Sequence, residues 1–127
     1  MAQARILIIE DQPFDAERAQ RVLAGGGYGT FLARDGEEGI QAARRERPAL
    51  IVCDIGMPKV GGIGVVQALR SDPSFDATPI VAVTGHGEPS DREHLLAIGF
   101  DAHFAKPVPG PALLEEIARL LARPRLR

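Results

Sequence analysis

The stretch Leu50-Ile51-Val52-Cys53-Asp54-Ile55-Gly56-Met57-Pro58 holds the decisive pattern: four apolar residues in a row, then a carboxylate, then turn-forming residues. A strand with one solvated face alternates apolar and polar residues, whereas a short continuous apolar run is what a strand covered on both faces looks like. Ile6-Leu7-Ile8-Ile9 and Ile80-Val81-Ala82-Val83 repeat the pattern to either side, and polar residues follow both, Glu10-Asp11 and Thr84. Thr30-Phe31-Leu32-Ala33 and Ala102-His103-Phe104-Ala105 are weaker members of the same series.

Segments with helical spacing fill the gaps. Pro13 to Ala24 sets Phe14, Ala19, Val22 and Leu23 toward one side, with Pro13 suited to the first turn and Gly25-Gly26-Gly27 ending the helix. Asp35 is a good N-cap for a helix running to Glu46, which Pro48 stops. A third helix carries Val65, Val66 and Leu69 inward. Ser90-Asp91-Arg92-Glu93 reads as a capping box opening a fourth, closed by Gly99. The last, from about Pro111 to Ala122, is expected to bury Leu113, Leu114, Ile117 and Leu121, with Glu115 and Glu116 early and Arg119 and Arg123 late, as the helix dipole favours. Five strands alternating with five helices, joined by short connections, imply an α/β fold: a (βα)5 doubly wound, five-stranded parallel sheet with helices on both faces.

The bulk numbers agree with one soluble domain. The chain has 127 residues, 45% of them hydrophobic and 25% charged. No apolar run approaches the ~20 residues that span a bilayer, and no signal-peptide pattern precedes the first strand, so no membrane partner is expected. A lone cysteine, Cys53, excludes an internal disulfide framework and fits a reducing, cytoplasmic setting; it reads as a buried strand residue and not as a nucleophile. A net charge of −2 gives no reason to expect nucleic acid. Gly25-Gly26-Gly27-Tyr28-Gly29 follows a helix and precedes a strand, the reverse of a pyrophosphate-binding order. Residues 1–123 form the expected domain, and 124–127 a short tail.

In an open α/β sheet, ligands bind outside the carboxyl ends of the strands. There the sequence gathers Glu10 and Asp11, Asp54, Thr84 and Lys106, with Arg34 and Asp35 toward the edge. Taken singly each has a bland reading: a solvated loop, a turn residue, a strand terminus, a surface charge. Their convergence favours a site. Two unit charges ~4 Å apart at an effective dielectric near 20 repel by about 4 kcal/mol. Such carboxylates are tolerable mainly with a hard divalent cation, Mg²⁺ or Mn²⁺, and no Cys/His spacing suits zinc. A carboxylate, a cation, a lysine and a hydroxyl describe phosphoryl transfer.

Glu10-Asp11, Asp54-Ile55-Gly56-Met57-Pro58, Gly62, Thr84, Gly99 and Lys106-Pro107, in this order after successive strands, resemble the receiver domains of two-component response regulators over nearly the whole chain. The resemblance implies a flavodoxin-like strand order of 2-1-3-4-5. It implies a signalling switch that promotes only its own phosphorylation and dephosphorylation. Asp54 is then the phosphoacceptor and Asp11 a direct metal ligand; Glu10 holds the metal mainly through water, and the Gly56 carbonyl is a further ligand. Lys106, followed by a cis peptide to Pro107, contacts the phosphoryl oxygens; Thr84 donates its hydroxyl to them. His103 stands at the switch position usually held by Tyr or Phe. Implied partners are a histidine kinase or histidine phosphotransfer protein, and a downstream protein bound through the fourth helix, fifth strand and fifth helix.

The sequence also departs from the family pattern. Glu10 replaces the commoner Asp, Gly85 the usual Ala, and Gly61 and Gly64 weaken the third helix's start. The block from Gly99 to Lys106-Pro107 resembles stand-alone receivers and those of hybrid histidine kinases. His94 is expected on a solvated helix face; His86 either influences the hydrolytic water or sits in a loop. No DNA-binding effector is expected from this chain. Two alternatives remain open: an interaction module that keeps the fold without phosphorylation, and an aspartyl-nucleophile hydrolase, which would want a second aspartate where Gly56 stands.

Overall fold

The computed structural model describes residues 3–85, 87–88 and 91–123. In chain order these form β1 (Arg5–Ile9), α1 (Pro13–Gly25), β2 (Gly29–Ala33), α2 (Gly36–Glu46), β3 (Leu50–Asp54), α3 (Gly62–Arg70), a short 3-10 turn (Pro73–Phe75), β4 (Ile80–Thr84), α4 (Arg92–Ile98), β5 (Ala102–Ala105) and α5 (Gly110–Ala122). The five strands pair in parallel in the order β2-β1-β3-β4-β5, as expected.

Alternate residues of the central strands enter opposite cores. Ile6, Ile8, Leu50, Val52, Val81 and Val83 pack with Leu23 of α1 and with Leu113, Ile117 and Leu120 of α5. Leu7, Ile9, Ile51, Cys53, Ile80 and Ala82 pack with Val65, Val66 and Leu69 of α3 and with Leu95 of α4. Continuous hydrophobicity is thus used on both faces. The edge strand β2 is only half buried over most of its length, which is why its signal is weaker.

Local chemistry sets the helix ends. The Asp35 carboxylate caps α2 by accepting from the Glu38 amide at 2.8 Å. The N-cap of α4 is Asp91, one residue after the Ser90 that the expected capping box would use, and its carboxylate accepts from the His94 amide at 3.3 Å; Ser90 itself lies outside the described residues, as do His86 and the tail 124–127. Gly99 closes α4 with φ 128°, a conformation that L side chains rarely adopt. Gly62 opens α3 directly behind β3, where a Cβ would meet the Asp54 carbonyl oxygen at 2.5 Å.

Two expectations are corrected. Phe14 does not face the core: it is 73% exposed, and Ala16 and Leu23 are the buried residues of α1. The first turn of α1 follows closely on the site loop, and Phe14 flanks a cavity of about 230 Å³ between α1 and α5. On α5 the buried stripe is Leu113, Ile117 and Leu120, while Leu114 and Leu121 are only partly covered. Leu120 lies seven residues beyond Leu113, on the same helix face.

At the amino ends of the strands a separate charged knot ties elements together. Arg70 donates to the carbonyls of Gly99 (3.0 Å) and Phe75 (2.6 Å) and to the Asp101 carboxylate (2.8 Å). Asp101 also accepts from the Ile80 amide at 2.8 Å and from Arg123 at 3.0 Å.

Candidate functional site

Glu10, Asp11, Asp54, Thr84 and Lys106 stand at or just beyond the carboxyl ends of strands, because a buried parallel strand delivers its next polar residue to the same sheet edge as its neighbours, whereas His103 lies within β5, in register with Ala82. Asp54 and Thr84 are the last residues of β3 and β4; Glu10 and Lys106 directly follow β1 and β5. Glu10, Asp54 and Thr84 are buried, at 6%, 3% and 1% exposure, in a molecule whose other buried residues are almost all apolar. Carboxylate oxygens from Glu10, Asp11 and Asp54 lie within 4.8 Å of one another.

Lys106 is the cation that holds this group together. Its Nζ lies 2.9 Å from Glu10 Oε1, 2.9 Å from Asp15 Oδ2 and 3.7 Å from Asp54 Oδ2. The peptide bond from Lys106 to Pro107 is cis. The Glu10 carboxylate also accepts from the Gln12 amide at 3.1 Å, and Asp54 accepts a long 3.4 Å bond from the Gly56 amide.

The electrostatics show the strain of the arrangement. Burial pushes the Glu10 carboxyl up from its ordinary range; the Lys106 hydrogen bond opposes this and the Asp54 charge adds to it. Burial likewise raises the Asp54 carboxyl, against the pull of Lys106, and the Glu88 charge raises it further. Burial alone would lower the Lys106 ammonium, but its hydrogen bonds to Asp15 and Glu10 and the Asp54 charge more than reverse that. Burial pushes the Cys53 thiol up, so it is no nucleophile at neutral pH.

Thr84 and His103 are already joined, Oγ1 to Nε2, at 2.8 Å. His103 holds Thr84 directly, and any motion of one is felt by the other as a hydrogen bond broken or redirected. Burial and the nearby Arg92 charge lower the His103 imidazole below its ordinary value, which favours the neutral ring. His94 is exposed on α4, as expected.

Two residues near the centre were missed from sequence. Asp15, in the first turn of α1, shares Lys106; its place in the helix turn that follows the Glu10-Asp11 loop was the available signal. Glu88, between β4 and α4, sends its carboxylate to the Gly85 amide at 2.7 Å, and no sequence pattern announces this. Among the described residues, the group that could hold an ion beside Asp54 is built of carboxylate oxygens, two of the carboxylates buried and the third partly buried, with Lys106 to balance their charge. That chemistry fits a hard divalent cation such as Mg²⁺ or Mn²⁺.

Comparison with known proteins agrees with this geometry. The polar-differentiation response regulator DivK of Brucella anthropi is 32% identical over 116 residues, covering 91% of this chain and 94% of that protein. The signal receiver domain of a signal transduction histidine kinase from Syntrophus aciditrophicus superposes with a TM-score of 0.85 at 32% identity, covering 94% of this chain and 90% of that one. The chemotaxis protein CheY4 of Vibrio cholerae gives a TM-score of 0.84 at 28% identity, with 94% and 99% covered. The family profile of the response regulator receiver domain matches residues 6–118, nearly every described element, and the chain belongs to that family.

Proposed function

We propose that this chain accepts a phosphoryl group on Asp54 from a phosphohistidine of a histidine kinase or histidine phosphotransfer protein, and passes the event on as a changed binding surface. The carrying observation is the setting of Asp54: buried at the end of β3, clustered with Glu10 and Asp11, and 3.7 Å from the Lys106 ammonium. An Asp54 carboxylate oxygen forms the new O–P bond while the P–N bond of the donor breaks. The bonding pair returns to the imidazole nitrogen, and the phosphoryl oxygens keep their charge.

Glu10, Asp11 and Asp54 would hold Mg²⁺ or Mn²⁺, with the Gly56 carbonyl as a further ligand; when bound, the cation supplies positive charge against the phosphoryl oxygens. Lys106 supplies a second positive charge, and must loosen its bonds to Glu10 and Asp15 to do so. The Thr84 hydroxyl donates to the new anion and so redirects its bond with His103. His103 sits on β5 beside α4, so the change reaches the α4-β5-α5 face, where a downstream protein would bind. A cytoplasmic setting suits this chemistry; among the described residues no helix is long and apolar enough to cross a membrane.

Beryllofluoride, which mimics an acyl phosphate, tests the reading. Binding should need Mg²⁺, should vanish in Asp54→Asn, and should shift the NMR resonances of Thr84 and His103. A folded wild type that binds none would point instead to a module working without phosphorylation.

A further inference from the structure

Glu88 takes no part in the transfer chemistry, yet its carboxylate is aimed into the site. Oε1 accepts from the Gly85 amide at 2.7 Å, and the Glu88 amide donates back to the Gly85 carbonyl at 3.2 Å, a tight turn that folds the side chain inward. Its other oxygen lies over Gly56: a Cβ on that residue would stand 1.7 Å from Glu88 Oε2. The hollow it fills exists because Gly56 has no side chain, and Gly56 is two residues past Asp54, bonded to its carboxylate. Asp54 registers the Glu88 charge.

The Gly85 amide directly follows Thr84 at the end of β4. There β4 runs beside β3, with Asp54 paired in register with Val83 and the Ile55 amide bonded to the Val83 carbonyl at 2.9 Å. A backbone donor so placed is suited to an oxyanion built on Asp54. In this conformation it is spent on Glu88. A carboxylate and a phosphoryl group make the same demands, negative oxygens seeking N–H donors, and two such groups in one hollow repel.

We propose that Glu88 is an internal competitor for the anion site at Asp54: its carboxylate holds the Gly85 amide and the hollow over Gly56 that a phosphoryl group on Asp54 would take. Accepting the group and releasing Glu88 are then one equilibrium. The inference rests on Asp54 being the acceptor. Apparent affinity for the anion is then reduced by the fraction of molecules in which Glu88 is seated.

The test is beryllofluoride titration in Mg²⁺ by calorimetry on wild type, Glu88→Gln, Glu88→Ala and Asp54→Asn, with Mg²⁺ alone titrated in parallel. Losing a charge-assisted hydrogen bond from the competing state should tighten beryllofluoride binding about tenfold in Glu88→Ala. Glu88→Gln should gain less, since its amide oxygen can still accept from Gly85 without the charge. Affinity for Mg²⁺ alone should fall by no more than about fivefold, and equally in Glu88→Gln and Glu88→Ala, because a nearby charge that does not ligate the cation acts only through space. The Gly85 amide resonance should move in Glu88→Ala before any ligand is added, and in wild type on adding beryllofluoride. Asp54-dependent binding of equal or weaker affinity in both Glu88 variants overturns the competitor while the acceptor reading stands. A loss of Mg²⁺ affinity well beyond that, larger in Glu88→Ala than in Glu88→Gln, also overturns it, since Glu88 would then be a cation ligand. If no variant and no wild type binds beryllofluoride through Asp54, the acceptor reading falls and the competitor falls with it.

Discussion

The two ends of the sheet handle buried charge in opposite ways. At the amino end, one carboxylate, Asp101, is met by two arginines and a backbone amide, and Arg70 spends its remaining donors on two carbonyls. At the carboxyl end, one lysine is divided among Glu10, Asp15 and Asp54, with Asp11 beside them. The first network is complete within the chain and so belongs to the fold. The second is short of positive charge, so it gains when a cation or a partner's chemistry arrives. A surplus of like charge that the fold could have avoided marks where function resides.

Asp101→Ala should separate the two ends most sharply. It strands the Ile80 amide and takes the carboxylate from Arg70, which keeps its two carbonyls, and from the half-exposed Arg123, at a cost of roughly 3 kcal/mol. Urea melts should show that loss, while beryllofluoride affinity in the folded protein should stay within about threefold, as sites this far apart act independently. A large drop in affinity would join the two ends into one network.

Next in size is the response to cation. Mg²⁺ at about a hundred times its dissociation constant should stabilise wild type by about 2.7 kcal/mol, several degrees in melting temperature. Asp11→Ala should abolish most of that gain, and Asp101→Ala none of it.

Asp54→Asn should raise the stability of the metal-free protein by roughly 1 kcal/mol, because burial and neighbouring charge oppose the ionised acid. A loss of stability instead would mean that the carboxyl end is as well balanced as the amino end.

The smallest effect is a pH dependence at His103. Its folded value is depressed from 6.5, so the neutral ring's contribution is present above that value and is lost as pH falls through the folded one. Wild type should therefore lose stability relative to His103→Phe on acidification below 6.5, read as converging melting temperatures. Parallel curves would show that the ring's charge is indifferent to the Thr84 contact.

Much of this was legible in the sequence because it depends on local order. A both-faces-buried strand must be apolar throughout, so residues 6–9, 50–53 and 80–83 stand out, 102–105 more weakly, and whatever polar residue follows each is carried to one edge. That reasoning places Glu10, Asp11, Asp54, Thr84 and Lys106 together without knowledge of side-chain direction. Asp15 and Glu88 escape it: whether their carboxylates point inward depends on the turn of α1 relative to β5 and on the hollow over Gly56. Phe14 and Leu121 show the same limit on helices. A helical stripe fixes which residues share a face, but where the face meets the sheet is decided by packing, and both lie near helix ends, where coverage falls away.

Cys53 offers a practical return. The chain carries one thiol, fully buried and with its ionisation pushed up, so alkylating dyes should pass it by. A second cysteine introduced at the exposed His94 would then take a fluorophore at a single address on α4. The domain could report its own switching by light, with no native thiol to be removed beforehand.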